Sequence, residues 1–176
     1  MIQNKWTAVL MGATFLLNVP LVSEQFIAIK ALARVSPTEG NKVKGLVTFE
    51  KLENGSVLIA ADFEGLTPGL HGFHVHEHGD CSSKDGSSAG GHFNPMHKKH
   101  GGPDDEERHA GDFGNVNADA SGKAHYERID TVIELEGENS IIDKSIVIHA
   151  DPDDLKTDPS GNSGKRIGCG PIEIFR

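Results

Sequence analysis

The sequence predicts an all-β fold, an eight-stranded antiparallel β-sandwich or barrel with two long functional loops. Three observations predict it. Short runs alternate apolar and polar residues with a period of two, clusters of turn residues separate those runs, and no stretch carries a convincing amphipathic helical pattern. The two longest connections between runs are rich in glycine, proline and titratable side chains, which is where a rigid β scaffold usually carries chemistry.

Met1 to Ser23 reads as a secretory signal peptide rather than as part of that scaffold. Lys5 and the amino terminus form a weak positive region, Ala8 to Leu17 is apolar, and Val19-Pro20-Leu21-Val22-Ser23 breaks the run at a small residue. The apolar run is too short to span a bilayer comfortably. Ala31-Leu32-Ala33 is the better cleavage motif on paper, but cutting there would destroy the first strand. Cleavage near Ser23 leaves residues 24–176 as one domain, without stable membrane insertion after processing.

From Ile29 the strands follow in order. Ile29, Ala31, Ala33 and Val35 alternate with Lys30, Leu32 and Arg34; Val43, Gly45, Val47 and Phe49 alternate with Lys44 and Thr48. Val57, Ile59, Ala61 and Phe63 form the next run, and Asn54-Gly55 before it is a strong hairpin signal. His74-Val75-His76 sits in a β-branched, apolar context and reads as strand. Gly114–Asn117, Ala124–Arg128, Val132–Leu135, Ser145–His149 and Ile172–Phe175 complete about eight short strands, with Ser121-Gly122 and Gly137 as turns.

The chemistry concentrates between Gly72 and Asp112. Histidines stand at 74, 76, 78, 92, 97, 100 and 109, and Asp112 follows the last by three residues. Strand alternation puts His74 and His76 on one face, able to grip a single ion. His92, His100, His109 and Asp112 offer three nitrogens and a carboxylate, the donor set of a closed tetrahedral zinc site. Imidazole suits zinc and copper alike, so two clusters imply two metals. With His149, at the end of a distant apolar run, seven residues are available where two four-coordinate ions need eight bonds. One imidazole bonded through both nitrogens would close that gap, and His92 lies centrally enough; spacing alone leaves the bridge open.

These motifs resemble those of the copper/zinc superoxide dismutase family, in its exported, bacterial-type form. Gly-Phe-His-Val-His-Glu from Gly72, Gly-His-Phe-Asn-Pro from Gly91, Lys-His-Gly-Gly-Pro from Lys99, Asp-Glu-Glu-Arg-His-Ala-Gly-Asp ending at Asp112, and Gly-Lys-Arg-Ile-Gly-Cys-Gly from Gly164 occur in the family's order. The match extends from about Ala28 to Phe175. The resemblance implies a Greek-key arrangement of the strands and dismutation of superoxide to dioxygen and hydrogen peroxide by a copper ion cycling between Cu(II) and Cu(I). It implies copper on His74, His76, His92 and His149, and zinc on His92, His100, His109 and Asp112, with His92 bridging and taking part in proton transfer. It further implies a disulfide between Cys81 and Cys169, Arg166 beside the copper as a catalytic residue, and Asp153 linking His74 and His100 from behind. The Ala150–Arg166 loop departs from the animal enzymes: it is shorter, and Pro159-Ser160 stands where a Lys-Thr pair would guide the anion. Guidance by Lys156 or Lys165 is an open alternative.

Charge and cysteine content narrow the remaining readings. The formal net charge is −9, and loss of Lys5 with the leader brings it to −10, which disfavours nucleic acid as a partner. Two cysteines without a C-x-x-C motif exclude a thioredoxin-like site, and in an exported chain they pair most simply with each other. The expected compartment is the periplasm for a bacterial source and otherwise the extracellular space, with a homodimer left open. His76-Glu77-His78-Gly79-Asp80 superficially matches a zinc-protease motif, but that motif needs a helix and Gly79 argues for none. His71 has opposite strand parity to the ligand pair and reads as a hydrogen-bonded structural histidine; His78, His97 and His125 read as non-ligands. A copper-delivery protein would lack part of the copper ligand set and carry spare cysteines, and this chain does neither. Asp153 could equally cap a helix, since Asp151-Pro152-Asp153-Asp154-Leu155 resembles a helix start.

Overall fold

The computed structural model describes residues 30–175. The putting together of alternating runs into one sheet system follows from their apolar faces, which only a second β layer can bury. Eight strands result: β1 Lys30–Pro37, β2 Lys44–Lys51, β3 Val57–Glu64, β4 Gly69–His76, β5 Asp112–Ala118, β6 Ala124–Asp130, β7 Ser145–His149 and β8 Arg166–Phe175. Every neighbouring pair is antiparallel, in the order β5-β4-β7-β8-β1-β2-β3-β6. β5 and β6 lie against each other and nearly close the barrel, so β3, β6, β5 and β4 run side by side in a Greek key. The predicted signal peptide, residues 1–23, lies outside the described residues, as does Ile29 of the first predicted run.

Alternation is visible in the burial of the strands. Ala31, Ala33 and Val35 of β1, Val47 and Phe49 of β2, and Val57, Ile59, Ala61 and Phe63 of β3 all point into the core. Phe73 packs edge-on against Phe63, Phe113 and Tyr126 with ring centroids 5.0–5.6 Å apart, so an aromatic cluster lies beside the histidines of β4. The Asn54-Gly55 hairpin forms as predicted, with Gly55 at φ 87° and Leu52 N–H donating to the Ser56 carbonyl at 2.8 Å.

Two sequence expectations and one weighed alternative are corrected here. Val132–Leu135 is not a strand: the Asp130 carboxylate accepts from Val132 N–H at 2.8 Å and Ile133 N–H at 3.0 Å, turning the chain out of the ladder. Ile133 and Leu135 are still buried, so the apolar pattern reported core membership and not sheet pairing. β8 begins at Arg166 rather than after Cys169, because its irregular first residues pair with β7 and Pro37 across the barrel edge. No helix stands at Asp153; the only helix among the described residues is a 3-10 turn at Ser87–Ala89.

Candidate metal centre

β4 ends in the pair His74 and His76, both buried to within 1% of complete. The loop that follows is drawn back along this strand by main-chain bonds: Phe93 N–H to Val75 O at 2.8 Å, Glu77 N–H to Gly91 O at 3.0 Å and His78 N–H to Ala89 O at 3.0 Å. That pairing sets His92 opposite His76. Val75 N–H donates to Gly111 O at 2.9 Å, and a side chain at Gly111 would strike the Val75 carbonyl, so only glycine lets the turn carrying His109 and Asp112 approach. β7 lies beside β4 and delivers His149 from its last residue.

Two four-residue groups result, each offering ligand atoms within 4.8 Å of one another: His74, His76, His92 and His149, and His92, His100, His109 and Asp112. His92 belongs to both. Its Nδ1 lies 2.7 Å from Asp112 Oδ1 and 3.5 Å from His109 Nδ1, while its Nε2, on the opposite edge of the ring, is buried with no protein partner. The first group converges from the other side, with His76 Nε2 and His149 Nε2 only 3.3 Å apart and His74 Nδ1 buried and unpartnered.

The protonation of these rings decides whether a cation fits. Burial, then repulsion from neighbouring imidazoles, holds His76 and His149 well below the usual histidine range, and lowers His92 to about 3. Neutral rings whose lone pairs converge in a buried space are a site for a metal ion, and four nitrogens suit copper. In the second group burial alone would raise Asp112, but hydrogen bonds from His100, His109 and His92 hold it well below the usual carboxylate range. Burial would lower His100, yet its bonds to Asp112 and Asp153 push it up to about 10. His92, His100, His109 and Asp112 together offer a three-nitrogen, one-oxygen set that suits a zinc ion.

The outward edges of the rings are fixed by other groups. Asp153, lowered because hydrogen bonds from His100 and His74 outweigh its burial, reaches His74 Nε2 with Oδ2 at 2.8 Å and His100 Nε2 with Oδ1 at 2.9 Å. It thereby ties one residue of each group to the other. His76 Nδ1–H donates to the Gly90 carbonyl at 2.9 Å. Arg166 donates from Nη2 to that same carbonyl at 2.6 Å and from Nη1 to Gly86 O at 2.7 Å. The disulfide Cys81–Cys169, whose ends are 88 residues apart in sequence, pins the segment bearing those carbonyls to β8 three residues beyond Arg166.

The other histidines are non-ligands, including His78, which strand parity alone would have placed with His74 and His76. His71 is buried with Nδ1 2.8 Å from the His149 carbonyl and Nε2 2.8 Å from Thr67 O. His78, His97 and His125 are exposed and outside both groups. Three contributors escaped the sequence reading. Asn115 of β5 brackets Asp153, accepting its N–H at 2.7 Å and donating to its carbonyl at 2.9 Å. Asp158 accepts from His100 N–H at 2.7 Å, and buried Arg108 donates into the turn between His109 and Asp112. Nothing in local sequence separates Asn115 or Asp158 from surface polar residues; Arg108 was visible as an arginine beside a ligand candidate.

A β-barrel carrying two adjacent clusters of candidate metal ligands that share one histidine, with an arginine beside the nitrogen-only cluster, has the arrangement of a binuclear metalloenzyme. Comparison with known proteins makes the class specific. The family model for copper/zinc superoxide dismutase matches residues 43–172. The extracellular superoxide dismutase [Cu-Zn] of Brugia pahangi is 47% identical over 153 residues, covering 82% of this chain and 75% of the relative. The superoxide dismutase [Cu-Zn] of Onchocerca volvulus is 45% identical over 150 residues, covering 80% and 94%. The crystal structure of the clock protein EA4 aligns with a TM-score of 0.77 at 41% identity, covering 83% of this chain and 94% of that one. The chain belongs to the copper/zinc superoxide dismutase family. It is an oxidoreductase that dismutates superoxide with copper and zinc as cofactors.

Proposed function

We propose that copper is held by His74 Nδ1, His76 Nε2, His92 Nε2 and His149 Nε2, and zinc by the Nδ1 atoms of His92, His100 and His109 with the Asp112 carboxylate. The observation that carries this assignment is His92: one ring nitrogen faces each ligand set, and its Nε2 has no other partner. When bound, copper supplies the Cu(II)/Cu(I) cycle that takes an electron from one superoxide and returns it to the next, while zinc is redox-inert.

The protein's own part is to bind the anion, orient the rings and handle the proton. Arg166 carries a fixed positive charge and keeps donors free beyond its two carbonyl bonds, so it can hold a superoxide oxygen beside the copper ligands. When it is not holding copper, His92 Nε2 would hold and pass on one of the two protons needed for each peroxide formed. Asp112 keeps the ring oriented from its other edge, and Asp153 keeps His74 and His100 in their tautomers.

Residues 1–23 act as the cleaved signal peptide, and the mature enzyme works outside the cell, or in the periplasm of a bacterial source. The disulfide and the relative named extracellular support export. Leu46 and Phe175, exposed in one outer groove of β1–β3, support a homodimer, which sedimentation of the mature protein checks. The functional test is metal analysis with superoxide removal on the mature, reconstituted protein. One copper and one zinc per chain with activity supports the assignment; saturation with a single metal overturns it. Asp112→Ala should lose zinc first, and His74→Ala copper first.

A further inference from the structure

Among the described residues the one arginine in the deep interior is Arg108, 3% exposed, and neither the redox step nor anion binding uses it. Its Nη2 lies 2.6 Å from Asp130 Oδ2, in a pair whose carboxylate is itself 1% exposed. Its Nη1 lies 3.2 Å from the carbonyls of His109 and Ala110 and 3.3 Å from that of Asp112. Those three oxygens belong to the tight turn that presents His109 and Asp112, half of the second ligand group. The turn closes on itself through Asp112 N–H to His109 O at 3.2 Å and His109 N–H to Asp112 Oδ2 at 2.8 Å. The other Asp130 oxygen is held by Val132 and Ile133 N–H groups, so the anchor is rigid at its far end.

We infer that Arg108 and Asp130 together form a positioning device for zinc, fixing the backbone of the His109–Asp112 turn so that both ligand atoms face the ion before it arrives. A guanidinium suits this because one planar group can serve several acceptors; an ammonium offers a single centre. The carboxylate is as necessary as the cation. A lone guanidinium behind the turn would repel the incoming ion, whereas the pair holds three carbonyls with no net charge. Preorganisation of this kind acts on metal affinity, since ligands already aligned need no ordering when the ion binds.

The inference rests on the zinc assignment above, and the test keeps the two apart. Zinc affinity is measured by chelator competition on the mature, disulfide-bonded, metal-free chain. The visible spectrum of cobalt(II) bound in the zinc position reports ligand geometry, and the unfolding midpoint of the metal-free protein reports fold stability. The charge-balanced double variant Arg108→Met/Asp130→Leu should bind zinc roughly 10–100-fold more weakly and shift the cobalt bands, with copper content unchanged. Arg108→Lys, which keeps the charge but loses the fork, should fall between. Wild-type zinc affinity and cobalt spectrum in a folded double variant overturn the inference and leave the pair a core ion pair only. Should the double variant not fold, Arg108→Lys decides alone by the same two readings. A wild-type chain that takes no cobalt at His100, His109 and Asp112 instead contradicts the zinc assignment itself.

Discussion

Replacing Arg166 with isoleucine should cut superoxide dismutation at least about tenfold while leaving copper and zinc content unchanged. A tenfold loss corresponds to about 1.4 kcal/mol of barrier. The structure gives the scale. Arg166 is half-buried, held by two carbonyls, and shares the Gly90 carbonyl with His76, so its charge stands at a fixed place beside the copper ligands. A unit charge about 5 Å from a superoxide ion attracts it by about 0.8–3.3 kcal/mol for an effective dielectric between roughly 80 and 20. That range brackets the tenfold loss. The protein's net charge of −9 opposes the anion globally, so local attraction of this kind must also act on encounter. Activity of the wild type should therefore fall as salt rises, and the isoleucine variant should show a weaker dependence. Arg166→Glu should be worse than isoleucine, because it puts repulsion in place of attraction. The assay is the second-order rate of superoxide decay across an ionic-strength series, with metals quantified on the same samples. Full activity in Arg166→Ile at normal metal content would refute this account of substrate docking.

Further outcomes follow from the same contacts. Asp153→Asn can accept from only one of His74 and His100, so zinc affinity should drop roughly 10–100-fold by chelator competition, with distorted copper coordination in its EPR spectrum. Gly161→Ala should release zinc in metal analysis, because the added methyl would overlap Asp153 Oδ1 and the residue sits at φ 61°. Serine at both Cys81 and Cys169 should lower stability in denaturant titration by roughly 2–5 kcal/mol, and lower activity because the segment bearing Gly86 and Gly90 no longer braces Arg166. In metal-free protein, His100 raised to about 10 contributes stability that is full below about pH 6.5 and lost as pH rises toward 10, so the unfolding midpoint should fall across that window. Zinc-loaded protein, with no proton on that nitrogen, should not show the fall.

Most of the fold and the two clusters of candidate ligands were legible before the structure. Alternation in residues 30–63 announced three strands because one face of each is core and the other is solvent. The histidine spacing announced both clusters because imidazoles in a glycine-rich loop have few other uses. The misread elements share a physical cause. Val132–Leu135 is apolar because it is buried, and burial alone does not distinguish a strand from an irregular segment laid over the core. Asp153 was legible only through the family resemblance, because local sequence shows a carboxylate beside a helix-start pattern but not the two rings it meets across 79 and 53 residues. Asn115 and Asp158 were invisible for the same reason, and Arg108, visible beside a ligand candidate, gave no sign of its role because an arginine after four acidic residues reads as surface until its burial is known.

The most direct test of the central claim is an anomalous-scattering map at the copper and zinc edges, from crystals of the oxidised, reconstituted mature protein. The account predicts two peaks on opposite edges of the His92 ring, copper among His74, His76 and His149 and zinc among His100, His109 and Asp112. A single peak, or a His92 ring bound at one nitrogen only, would contradict it.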